Sequence, residues 1–364
     1  MTRRFRAFTT LYLVGVLLTA APGPARAAVP GLTARLVVGG LNQPVAFTFD
    51  PAGNIWFVEK STGMIRTFNR TTRKFHRFYR VPGVNGEGER GMLGIALHPD
   101  FPAQPFVYVY ATRSVNGHLR NQILRLTRRS GRGSALKVLL TSVAAASPYH
   151  NGGRIEFGPD KKLYAIVGDG HDSTNAQLLG NNRGKMLRLT ATGAVPPGNP
   201  FPGSFVFAFG VRNSFGFDFD PQTRDLWETE NGPQCNDELN RILAGQNYAW
   251  GPSEDCLMGT SPTNTNNSGP SPRQLPEYWF DNTIGITGMA FCDTCHLDAP
   301  SEGTFFFGEV NGNDIRRATL NPARTSIGTV EVVYTAADSP ISFETSPAGD
   351  IFFSTFSGIY RLVI

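Results

Sequence analysis

One strand–turn–strand phrase recurs along the chain, and it limits the fold more than any other feature. At residues 46–57 two apolar runs flank Asp50-Pro51-Ala52-Gly53-Asn54. Residues 94–110, with His98-Pro99-Asp100 at the turn, have the same form. So do 154–167, 216–229 and 342–353, and 288–307 is a degraded copy. The six copies return roughly every 50 to 70 residues, with further strand-like pieces such as 64–68 and 122–126 between them. A short apolar run bounded by Asp, Pro and Gly reads as a strand ended by a tight turn. Repeats of this length with about four strands each read as propeller blades. The predicted fold is all-β, a six-bladed propeller. Residues 33–38 are expected to pair with 358–363 and close the ring.

The first 27 residues read as an export signal, and 28–364 as the propeller domain. Arg3, Arg4 and Arg6 precede an apolar run at 11–20, and Ala25-Arg26-Ala27 fits a small-x-small cleavage site. That run is too short for a stable membrane anchor. Removing Arg3, Arg4, Arg6 and Arg26 from the 34 basic residues leaves 30 against 29 acidic ones. The basic pI therefore belongs to the signal, and the composition gives no support for a nucleic-acid partner. A secreted, periplasmic or extracellular product is expected. In such a compartment Cys235 and Cys256 read as a disulfide across one loop. Residues 261–272 form a polar loop before blade five, either solvated or covering one face. The turn at 238–243 reads as helix-like, with Asp237-Glu238 as its cap.

Propeller sites form where loops of several blades meet over the channel. His150, in Tyr149-His150-Asn151-Gly152-Gly153-Arg154, stands before the third copy, and Asp169 follows its second strand. Arg212-Asn213 stands before the fourth copy, and Gly232-Pro233-Gln234 follows it. With Glu89-Arg90-Gly91-Met92-Leu93-Gly94 and Gly245-Gln246-Asn247-Tyr248-Ala249-Trp250-Gly251, these motifs come in the order of a known family. The chain resembles the soluble pyrroloquinoline-quinone-dependent sugar dehydrogenases, the glucose/sorbosone dehydrogenase family.

That resemblance implies a mechanism and a set of roles. His150 matches the general base for the sugar hydroxyl, and Asp169 the carboxylate that orients it. Arg212 matches the arginine over the quinone, and Asn213 its neighbour there. Glu89 and Gln177 fall where further cofactor contacts are expected. The carbonyls of Gly232 and Pro233 match the ligands of a calcium ion. The implied cofactors are pyrroloquinoline quinone and Ca2+. The implied partners are a small sugar or alcohol and an external electron acceptor.

The sequence departs from the family at three places. Glu89 stands where the family has glutamine, 308–314 lacks the family's lysine, and 338–342 lacks its two arginines. The quinone carries three carboxylates, which cations usually hold. Arg316 and Arg317 are the nearest replacements in sequence. These losses keep a second reading open, a non-catalytic extracellular propeller that binds carbohydrate or protein. A lactonase-like hydrolase is a third, for which side-chain ligands of a channel calcium are lacking. Cys292-Asp293-Thr294-Cys295-His296 has the spacing of c-type haem attachment. It sits inside a blade without a helical haem segment, so a tight disulfide, a redox element or a metal element fits better.

Overall fold

The computed structural model describes residues 26–27, 31–144, 147–251 and 269–364. The chain enters through β1 (Arg26–Ala27) and β2 (Thr33–Gly39). Blade one is β3 (Ala46–Phe49), β4 (Ile55–Val58), β5 (Met64–Asn69) and β6 (Lys74–Arg80). Blade two is β7 (Met92–Leu97), β8 (Phe106–Val115), β9 (His118–Arg129) and β10 (Arg132–Ala144). Blade three is β11 (Ile155–Phe157), β12 (Leu163–Val167), β13 (Lys185–Leu189) and β14 (Val206–Phe209), with the short α1 (Thr174–Gln177) inserted after β12. Blade four is β15 (Ser214–Phe219), β16 (Leu226–Glu230), β17 (Asp237–Ile242) and β18 (Tyr278–Phe280). Blade five is β19 (Ile286–Phe291), β20 (Phe305–Glu309), β21 (Asp314–Leu320) and β22 (Ile327–Thr335), extended by β1 at its outer edge. Blade six is β23 (Ser342–Thr345), β24 (Ile351–Ser354) and β25 (Gly358–Val363), completed by β2 from the N-terminal side.

The repeated sequence phrase is the inner hairpin of each blade. Its second strand lies between two neighbouring blades and is buried on both faces, so β4 reads Ile55-Trp56-Phe57-Val58 without polar alternation. Six apolar clusters fill the six gaps between blades. Trp56, Met92 and Val109 join blades one and two, and Tyr108, Ile155 and Leu187 join two and three. Tyr164 and Phe217 join three and four, and Trp227, Met289 and Phe305 join four and five. Phe306 with Phe343 and Phe47 with Phe352 complete the circuit. The predicted closure holds, since Thr33 pairs with Val363 and Gly39 with Gly358. Around the axis the inner strands touch backbone to backbone. A Cβ on Gly216 of blade four would lie 2.5 Å from the Cα of Gly288 of blade five.

One local expectation fails. Residues 237–242 are a strand, not a helix-like turn, and Glu238, Asn240 and Ile242 pair with Glu230, Glu228 and Leu226. Partner strands on both sides outweigh the weak helical preference of a few residues. Asp237 caps a different backbone. It accepts from the N–H groups of Gly232, Ile284 and Gly285, each at 2.8 Å. Cys256, the expected partner of Cys235, lies outside the described residues, as do 1–25 and most of the 261–272 loop. Cys292 and Cys295 form a buried disulfide with each other, and His296 turns to Asp350 instead. Among the described residues no helix is long and apolar enough to cross a membrane.

Candidate active site

The site is built at one end of the ring from two recurring positions. One is the stretch of up to five residues before an inner strand; the other is the residue or two after the second strand. His150 lies ahead of β11, and Asp169 follows β12, so one hairpin brings them together. His150 Nδ1 and Asp169 Oδ1 are 2.7 Å apart, with His150 8% and Asp169 1% exposed. Asp169 Oδ1 also accepts the His171 N–H at 2.7 Å, and Oδ2 accepts Trp250 Nε1–H at 2.8 Å. A carboxylate only accepts, so Nδ1 of His150 carries a proton, and in the neutral ring Nε2 is the nitrogen with the lone pair. His150 has φ 56°, a left-handed conformation few side chains adopt. Its N–H donates to Glu89 Oε2 at 2.7 Å, and its carbonyl accepts from the Gly170 N–H at 3.1 Å.

Arg212 and Asn213 sit ahead of β15. The Arg212 N–H donates to Glu230, its Nη1 donates to the Asn231 carbonyl at 3.0 Å, and its guanidinium stacks 5.4 Å over Trp250. Burial pulls the Arg212 guanidinium down, while Asp169, Glu230, Asp237 and Glu89 hold it charged. Burial, together with Glu228, holds the Glu230 carboxyl well above the usual range. Asn213 Nδ2 donates to Glu89 Oε2 at 3.2 Å. Glu89 is thus a paired carboxylate, fixed by two blades, with Lys60 as a further electrostatic partner.

These residues line a cleft of about 330 Å³ that Glu89, His150, Arg212, Asn213, Gly232 and Pro233 share with Asn231. Gly232 is required by close approach, because a Cβ there would lie 1.9 Å from the Cys235 carbonyl oxygen. Gln177 is not among the lining residues. Its amide is spent on Asn247 at 3.0 Å and the Trp250 carbonyl at 2.6 Å, so it reaches the site only through Trp250.

Arg316 and Arg317 do not replace the missing cations. Both lie on β21, the third strand of blade five, where Arg316 pairs with Glu309 and Arg317 with Asp298 and Glu331. Two other cations occupy the channel instead. A second chamber of about 360 Å³ adjoins the first, shares Glu89, Phe215, Thr287 and Val310 with it, and is lined by Lys60 and Arg154. Lys60 Nζ donates to the carbonyls of Gly86 and Gly88 at 2.8 and 2.7 Å. Sequence reasoning missed both, and a signal was there. Lys60 follows the second strand of blade one as Asp169 does in blade three, and Arg154 precedes β11 as Asn213 precedes β15.

Two donors here suit an anionic ligand. Arg212 Nε and Arg154 Nη1 are buried atoms without a hydrogen-bond partner among the described residues, as is the acceptor Asn213 Oδ1. Such groups are costly unless a ligand or water completes them.

The chain is 33% identical over 247 residues to quinoprotein glucose dehydrogenase B of Acinetobacter calcoaceticus, a match covering 59% of this chain and 52% of that one. The match thus spans about half the length of that relative. It is 24% identical over 292 residues to aldose sugar dehydrogenase YliI of Escherichia coli, covering 77% of this chain and 78% of that one. It is also 27% identical over 322 residues to human Hedgehog-interacting protein, covering 76% and 42%. The solved PQQ-bound form of aldose sugar dehydrogenase from Streptomyces coelicolor superposes with a TM-score of 0.78 at 27% identity, over 94% of this chain and 99% of that one. The model of the Glucose / Sorbosone dehydrogenase family matches residues 41–355, and the chain belongs to that family.

Proposed function

We propose that the chain is an exported dehydrogenase that oxidises a sugar or related alcohol. The observation that carries this reading is that His150, paired with Asp169 behind it, lines the same cleft as Arg212, Asn213, Gly232 and Pro233. In this reading pyrroloquinoline quinone, when bound, supplies the hydride acceptor, and calcium acts as a Lewis acid on it. Arg212 and Asn213 would hold the quinone, with Lys60 and Arg154 offering charge from the adjoining chamber. The Gly232 and Pro233 carbonyls would serve the calcium ion, on a loop that Asp237 stiffens by accepting the Gly232 N–H from five residues away.

The chain's own chemistry is proton removal. His150 Nε2 takes the hydroxyl proton of the carbon being oxidised, and Asp169 holds the ring and stabilises the imidazolium that results. Trp250 and the His171 N–H fix Asp169 in turn. Turnover then needs an external electron acceptor. The reading is tested by adding the quinone and calcium chloride to purified protein and following the bound-cofactor spectrum and sugar-dependent dye reduction. Failure to bind the quinone at millimolar concentration sinks it. The likeness to Hedgehog-interacting protein then favours the second reading, a binding propeller without turnover.

A further inference from the structure

The near-neutral balance of residues 28–364 hides a strong division. Between Lys60 and Lys137 there are 15 basic residues and 3 acidic ones, so the rest of 28–364 holds 15 basic and 26 acidic. The basic part is blades one and two. It gathers on exposed outer strands, as in β6, Lys74-Phe75-His76-Arg77-Phe78-Tyr79-Arg80, whose first four residues are exposed. It gathers also at the turn between β9 and β10, Arg128-Arg129-Ser130-Gly131-Arg132, exposed throughout. Crowded like charges oppose folding, so stability does not explain this arrangement.

These two stretches face one another. They enclose a cleft of about 650 Å³ with His76, Arg77, Arg128 and Arg132 on its walls, larger than either chamber at the site. Asp50 is the one carboxylate among its lining residues, and its oxygens already accept from Asn54 and Trp56 Nε1. Among the described residues, Arg77, Arg128 and Arg132 have no carboxylate partner. The lining also offers the amide nitrogen of Asn69, and Phe75 is 39% exposed there.

We propose that this cleft binds a chain of an acidic polysaccharide. Guanidinium forks match carboxylate and sulfate groups, amides match sugar hydroxyls, and an exposed aromatic face suits a sugar ring. A concave cleft takes a polymer chain rather than a flat lipid surface. Its position matters to the whole molecule. β5 starts at Met64, near Lys60 of the channel, and ends at Asn69, so the cleft lies at the end of the ring away from His150. A polymer held there leaves the mouth of the site open and tethers the protein to an acidic matrix. The proposal stands whether or not the dehydrogenase reading does.

The test is titration calorimetry of the full chain with polygalacturonate and with dextran sulfate, with neutral dextran and phosphatidylglycerol vesicles as comparisons. Binding to one or both acidic polymers is expected, about tenfold weaker when salt rises from 20 to 200 mM. Which polymer binds identifies the acidic group. The triple variant Arg77→Ala/Arg128→Ala/Arg132→Ala is expected to lose about tenfold or more in affinity at an unchanged melting temperature. Arg132→Ala alone, at the exposed turn, gives the same reading if the triple variant melts early. Lys161→Ala/Arg224→Ala, basic positions elsewhere, is expected to bind as the parent does. The proposal is overturned if neither acidic polymer binds, if the two control substitutions weaken binding equally, or if the vesicles bind more tightly than both polymers.

Discussion

His150 Nδ1 and Asp169 Oδ1 meet at 2.7 Å, across a hairpin whose two ends lie 19 residues apart in sequence. The contact decides which imidazole nitrogen is free. It also couples the histidine to blade four, because the other oxygen of Asp169 accepts from Trp250.

Replacing His150 tests the base directly. His150→Asn is the sharper variant, since asparagine tolerates a positive φ where alanine is strained. Loss of a general base costs about 10²- to 10⁴-fold in rate. Asp169→Asn is expected to fall in the same range, because the amide no longer demands the proton on Nδ1. Both losses are read as dye reduction by the reconstituted protein, with the melting temperature as control. Full activity of His150→Asn would remove the residue from the base role.

Trp250→Phe removes one donor from a buried carboxylate and keeps most of the ring that carries Arg212. A buried acceptor left short of a partner costs about 1–3 kcal/mol, read by denaturant unfolding. Gln177→Ala is expected to lower activity less than Asp169→Asn, since it acts only through the Trp250 carbonyl. Equal losses would place Gln177 in the cleft.

Gly232→Ala puts a methyl 1.9 Å from the Cys235 carbonyl oxygen, so the loop has to move. The expected result is a higher calcium concentration for half-maximal reconstitution. Titration of calcium into apoprotein plus quinone measures it, and an unshifted midpoint would separate this loop from the ion.

Glu344 makes stability depend on pH. At the far end of the channel, Glu344, Asp218 and Glu156 are enclosed by protein although each keeps some accessible surface. Burial pushes the Glu344 carboxyl up to about 8, with Arg154 opposing and Asp218 adding to the rise. Between the ordinary glutamate value and about 8 the folded protein keeps a proton that the unfolded chain has released. Stability contributed by this group therefore falls as pH rises through that window and levels off above it. Glu344→Gln removes the dependence. Its melting temperature relative to the parent is expected to be higher at pH 8 than at pH 5, by about 2 °C or more. Parallel curves for the two proteins would exclude the effect.

The blades were legible because each repeats one local pattern. An apolar run such as Ile55-Trp56-Phe57-Val58, ended by Asp, Pro and Gly, states its own strand and turn. His150 and Asp169 were legible for the same reason, since one hairpin spans both. Residues 237–242 were misread because their strand state rests on pairing with β16 and β18, which a polar run of Asp237, Glu238 and Asn240 does not announce.

The channel cations show the remaining limit. The sequence by itself determined the ring, its order of blades, its closure by residues 33–38, and the hairpin that joins the histidine to its carboxylate. Only the tertiary structure decided that Lys60 and Arg154 stand by Glu89, that Arg316 and Arg317 are spent on acids of blade five, and that Gln177 turns away to Trp250. It alone brought β6 beside the turn after β9, making one basic cleft from two stretches that read as scattered charge. The reason is physical. Strand period and turn chemistry act between neighbours in sequence, whereas a channel or a cleft is made of side chains that meet only after the blades have packed.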